Sequence, residues 1–137
     1  MNFFKKIFRS DFSAGIPNLN GLNNLRYLDL DQCEIQGTLD LSFLPMLDSL
    51  DLSQNADLTD LIISRTQPLG KDSEYLEISD CSLSSESVDN ILVELSENGM
   101  TGGYISINGI NNGIPGPVGL AAKSVLEGNG WTVTVSE

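Results

Sequence analysis

Leu28-Asp29-Leu30, Leu39-Asp40-Leu41, Leu50-Asp51-Leu52 and Leu61-Ile62-Ile63 begin 11 residues apart, three times in succession. In each triplet the outer side chains share one face of an extended chain, so each triplet reads as a strand with apolar residues turned inward. A strand every 11 residues gives two strands in each 22-residue coil. One such coil cannot bury its leucines alone; coils stacked on one another can.

The 22-residue register extends outward from the triplets. Leu25-x-x-Leu28-x-Leu30-x-x-Cys33-x-Ile35 aligns with Leu47-x-x-Leu50-x-Leu52-x-x-Asn55, with Leu58 close behind. It recurs as Ser73-x-x-Leu76-x-Ile78-x-x-Cys81-x-Leu83. Cys33, Asn55 and Cys81 share one position of this register. Stacked about 4.8 Å per coil, Cys33 and Cys81 lie roughly 10 Å apart, beyond the ~7 Å reach of a disulfide. Both are expected to be free, buried thiols.

Past residue 64 the spacing stretches, with core strands expected near Leu28, Leu50, Leu76, Ile105 and Val133. The added residues read as helices. Ser84 is placed to cap Ser85–Asn98, with Leu83 and Val88 as a hydrophobic staple and Asn98-Gly99 as terminator. Val88, Ile91, Leu92 and Leu95 form its apolar stripe. A second helix starts at Pro117 and runs to about Glu127, with Val118, Ala121, Ala122 and Val125 as its expected stripe. Alternating strand and helix implies parallel strands joined by crossovers.

The chain carries 19 acidic and 7 basic residues among 137, with no histidine and a net charge of −12. Lys5, Lys6 and Arg9 against Asp11 make residues 1–12 +2, which leaves −14 for the rest. So acidic a body repels phosphates, which excludes nucleic acid as a partner. Without histidine there is no Ser-His-Asp triad or Cys-His pair. Gly99, Gly102 and Gly103 lack the lysine and serine of a phosphate loop, and residues 108–117 read as an irregular loop. Neither catalysis, a metal nor a cofactor is expected.

Two surfaces remain as candidates for binding. Residues 1–12 concentrate four of the five phenylalanines. Phe3, Phe4, Ile7, Phe8 and Phe12 form a stripe at helical spacing, with Lys5, Lys6 and Arg9 off it. This arm caps the first coil, docks into a larger assembly, or lies on a membrane surface, the last being the least favoured. Lys and Arg interrupt its apolar run and no small-residue cleavage site follows, so no signal peptide is expected. The second surface is the sheet face turned from the core. It stacks Asp29, Asp51 and Glu77 in one ladder beside Tyr27 and Tyr75, and like charges so placed repel unless something meets them. Solubility alone also accounts for such a ladder, and calcium would need more converging oxygens.

The stretch from Leu25 to Leu83 resembles leucine-rich-repeat proteins, Asn-or-Cys position included. The expected fold is therefore α/β, a right-handed solenoid of that type spanning residues 13–137. Its sheet is parallel, with further strands on the convex side in early coils (13–83) and helices in late coils (84–137). A second resemblance runs through Ser87-Val88-Asp89-Asn90-Ile91-Leu92-Val93-Glu94-Leu95, Asn98-Gly99, Gly103, Ile105-Ser106-Ile107-Asn108-Gly109, Asn111-Asn112 and Pro115. It continues through Gly119-Leu120-Ala121-Ala122-Lys123 and Gly130-Trp131-Thr132-Val133-Thr134-Val135. These residues are similar to a C-terminal module of leucine-rich-repeat-like bacteriophage and bacterial proteins, the phage members being virion or fibre components. The resemblance implies a non-enzymatic virion protein assembled in the host cytoplasm. Its arm would meet other virion proteins, and its concave face a host surface protein or glycan. A bacterial surface adhesion module or an intracellular adaptor are the alternatives.

Overall fold

A computed structural model describes residues 4–6, 10–16, 18–70 and 75–137. The fold is mixed α/β. Its elements run β1 (Phe4–Lys6), β2 (Tyr27–Asp29), β3 (Gly37–Asp40), β4 (Ser49–Asp51), β5 (Leu58–Ile62) and β6 (Tyr75–Glu77). They continue with α1 (Ser85–Ser96), β7 (Gly103–Ile107), α2 (Pro117–Gly128) and β8 (Trp131–Val135). Among the described residues these strands form a six-stranded parallel sheet, ordered β1-β2-β4-β6-β7-β8, and a two-stranded parallel sheet, β3-β5.

The register is set by the leucines. Leu28 pairs with Leu50, Leu50 with Leu76, Leu76 with Ile105 and Ile105 with Val133, each on a neighbouring parallel strand. Leu39 pairs with Leu61 across the smaller sheet. These side chains belong to one continuous buried cluster, which Leu30, Leu41, Leu52, Ile78 and Ile107 extend. Apolar burial of this kind supplies the main drive for folding, about 25 cal/mol per Å² removed from water.

Buried amides hold the turns that follow the strands. Asn55 Oδ1 accepts from the backbone N–H of Cys33 (3.0 Å) and Ile35 (3.1 Å), while its Nδ2 donates to the carbonyls of Leu30 (3.0 Å) and Leu52 (2.7 Å). Asn112 repeats the arrangement two strands on, donating to Ile78 O (2.8 Å) and Asn108 O (3.0 Å) and accepting from Leu83 N (3.1 Å). Gln67 does the same beside the smaller sheet, donating to the carbonyls of Leu41 (3.0 Å) and Leu44 (2.8 Å). Cys33 and Cys81 are buried thiols with no disulfide between them, as expected.

The helices stand where the spacing put them. Ser84 caps α1 by accepting from Ser87 N at 3.1 Å, and α2 begins at Pro117. The stripe assigned to α2 is corrected. Gly119, Ala122 and Leu126 are its buried residues, whereas Val118, Ala121 and Val125 are exposed. Gly119 faces α1 where the helices approach too closely for a larger residue: a Cβ there would stand 2.1 Å from Asp89 Oδ1.

The arm differs from its expected helical stripe as well. Phe4–Lys6 is a strand, aligned with Tyr27–Asp29 at one edge of the large sheet. An extended chain places alternate residues on opposite faces, so Phe4–Lys6 does not continue a helical stripe. Phe12 is half-buried against the core of the same chain, and its N–H donates to Cys33 O at 2.8 Å. Phe3, Ile7, Phe8 and Arg9, like Ser73 of the third repeat, lie outside the described residues.

Candidate functional site

Each strand of the large sheet presents one face to the core and the other outward, so the middle Asp or Glu of a Leu-x-Leu triplet points away from the leucines. Asp29 aligns with Asp51, and Asp51 with Glu77, as the ladder requires. The ladder is not uniformly open. Asp29 is buried at 9% exposure, with Lys6 opposite it in register, and Ser49 is buried beside Tyr27 and the β6 backbone. Asp29 is therefore withdrawn from the accessible surface that the sequence assigned to it, and Tyr27 is half-buried.

The accessible part of the face lies further along. A groove of about 770 Å³ is lined by Asp51, Tyr75 and Glu77, which the sequence singled out, and by Tyr104 and Thr132, which it did not. Gly102, Gly103 and Gly130 form its remaining wall. Tyr75 and Tyr104 are aligned partners on β6 and β7, 39% and 41% exposed, and Thr132 is the partner of Tyr104 on β8. A signal for Tyr104 was present: it precedes core Ile105 as Tyr75 precedes Leu76 and Tyr27 precedes Leu28.

Gly103 cannot be replaced. A Cβ there would lie 1.7 Å from Gly70 O, and its φ of +149° suits glycine alone. The close passage of residue 70 holds the start of β7 in place, since Tyr104 N donates to Gly70 O at 2.8 Å.

The groove carboxylates are fixed by their own turns. Asp51 Oδ1 accepts from Ser53 N (2.9 Å) and Ser53 Oγ (2.5 Å), and Glu77 Oε1 accepts from Ser79 Oγ. The same hydroxyl lies 2.7 Å from Asn108 Oδ1. Asp51 Oδ2 and Glu77 Oε2 accept no hydrogen bond among the described residues. The same Asp-x-Ser turn recurs away from the groove at Asp11–Ser13 and Asp40–Ser42, where the serine hydrogen bonds hold both carboxyls below their usual pKa.

The described basic side chains are engaged elsewhere. Arg26 pairs with Asp48, Arg65 with Glu97 (2.8 Å) and Glu94 (3.3 Å), and Lys123 with Glu127 (2.5 Å). None lines the groove. Burial pushes both thiols up, Cys81 to about 11, so neither is a thiolate near neutral pH. Among the described residues no three His, Cys, Asp or Glu side chains converge on a metal position, and no helix is long and apolar enough to cross a membrane.

No family model, curated protein or solved structure matches this chain. The two resemblances therefore stand on the residues quoted for them.

Proposed function

We propose that the chain is a leucine-rich-repeat-type solenoid acting as a non-enzymatic interaction module, with the outward face of its large sheet as the binding surface. The observation that carries this reading is the groove on that face, where two aligned, exposed tyrosines stand beside two carboxylates. Exposed aromatic side chains are costly to leave in water and are the residues that most often anchor a partner. The solenoid reading is supported by the aligned run from Leu28 to Val133 and by Asn55 and Asn112 in equivalent turns. In the same proposal the module is a component of a bacteriophage particle, for which the support is the resemblance of residues 87–135.

A photoreactive side chain at position 104 tests the surface, with one at Phe43 beside the smaller sheet as control. Cross-links in purified native particles should form from position 104 and not from position 43. Cross-links from position 43 alone would move the binding surface off the large sheet. Absence of the chain from purified particles would remove the phage setting and leave the surface to be tested in its true one.

A further inference from the structure

We infer that the groove between Tyr75 and Tyr104 receives the cationic side chain of a basic peptide segment, arginine above all. The inference rests on the sheet face being the binding surface and names what that surface takes. Two tyrosines aligned on adjacent strands put two electron-rich ring systems within one side chain's span, and a guanidinium is attracted to such faces. Asp51 and Glu77 align one strand apart on the same face, two residues further along. Each has one oxygen tied into its own turn and one without a partner among the described residues. A planar donor with several N–H groups suits two carboxylate oxygens presented this way, and it suits them better than a lysine's point charge does.

The charge of the molecule selects in the same direction. The chain carries −12, no basic residue among the described ones lines the groove, and the three basic side chains whose placement is described are already paired with acids. Such a field draws in cations and repels phosphates, sulfates and acidic sugars. A neutral sugar would stack on the tyrosines but would draw nothing from the field. Gly102, Gly103 and Gly130 in the wall carry no side chains, so a peptide backbone can approach them closely while one side chain reaches in.

Acetylated tri-arginine amide is the probe, titrated into the full-length, isotope-labelled chain. Calorimetry gives the affinity, and backbone amide shifts give the location. Shifts should centre on Gly102, Gly103, Gly130 and Thr132. Tyr104→Leu leaves the net charge unchanged and should weaken binding by about three- to tenfold. Glu77→Gln should weaken it and flatten its salt dependence, whereas Asp40→Asn on the smaller sheet should leave both as they are. Equal binding by the wild type and Tyr104→Leu, with shifts spread over the acidic surface, would reduce the effect to diffuse attraction and overturn the inference. Binding of cellohexaose in place of tri-arginine would overturn it in favour of a carbohydrate site. If neither probe binds while cross-links still form from position 104, the ligand class is wrong and the binding face stands. Loss of those cross-links as well would remove the face itself.

Discussion

Asn55 shows how much of this fold depends on single polar side chains. It is fully buried and serves four backbone groups, two N–H and two C=O, that have turned away from strand pairing. Removing the amide takes four hydrogen bonds out of a dry interior, a cost well above that of a lost surface bond. Asn55→Ala should lower stability by about 2–4 kcal/mol, read from urea unfolding. The neighbouring thiol makes a different prediction. Burial raises Cys81 from the ordinary 9.0 to about 11, so folding favours the protonated form. The associated stability is complete below pH 9 and is lost as pH rises through about 11. Urea midpoints should therefore fall across that window by more in the wild type than in Cys81→Ala. Equal slopes would show that other groups govern the alkaline limb.

At the scale of elements, the strands and the Val88, Ile91, Leu92, Leu95 face of α1 were the most legible parts and the face of α2 the least. A Leu-x-Leu triplet declares its inward face by alternation alone, and the expected partners Leu28, Leu50, Leu76, Ile105 and Val133 are neighbours in that order. The phase of α2 was not legible, because hydrophobicity pointed to Val118 and Val125 while packing buried Gly119, Ala122 and Leu126. Gly119 lets α2 approach α1, where Asp89 is itself held by the N–H of Gly116 at 2.8 Å. Gly119→Ala should destabilise by about 1–3 kcal/mol through overpacking. Gly128→Ala meets nothing within 4 Å and should stabilise by up to about 1 kcal/mol. Thermal unfolding of both variants checks the pair, and matching signs would contradict the described helix contact. Asn112 was missed for a related reason. Two extra residues in the turn after β7 displace it from the repeat register, although its role copies that of Asn55. The groove was half legible: Tyr75, Asp51 and Glu77 followed from the repeat, whereas Tyr104 and Thr132 required the lengthened strands to be aligned.

For the molecule as a whole, charge opposes compactness. With −12 spread over 137 residues, the folded chain repels itself more strongly than the expanded one. Raising ionic strength from about 0.01 to 0.15 M shortens the screening length from about 30 to 8 Å, and the melting temperature should rise with it. Scanning calorimetry at the two salt levels decides the point; a fall would mean that the surface ion pairs outweigh the repulsion.

Trp131 is the only tryptophan in the chain, and it is buried at the first position of β8. Its indole N–H donates to Met100 O at 3.3 Å, and its ring would be struck by a Cβ on either Gly70 or Gly103. Gly130, which precedes it, belongs to the groove wall. Intrinsic emission excited at the indole band thus comes from a single fluorophore seated directly behind that wall. The protein carries its own optical gauge of whether this end of the sheet is intact, and no dye has to be attached to read it.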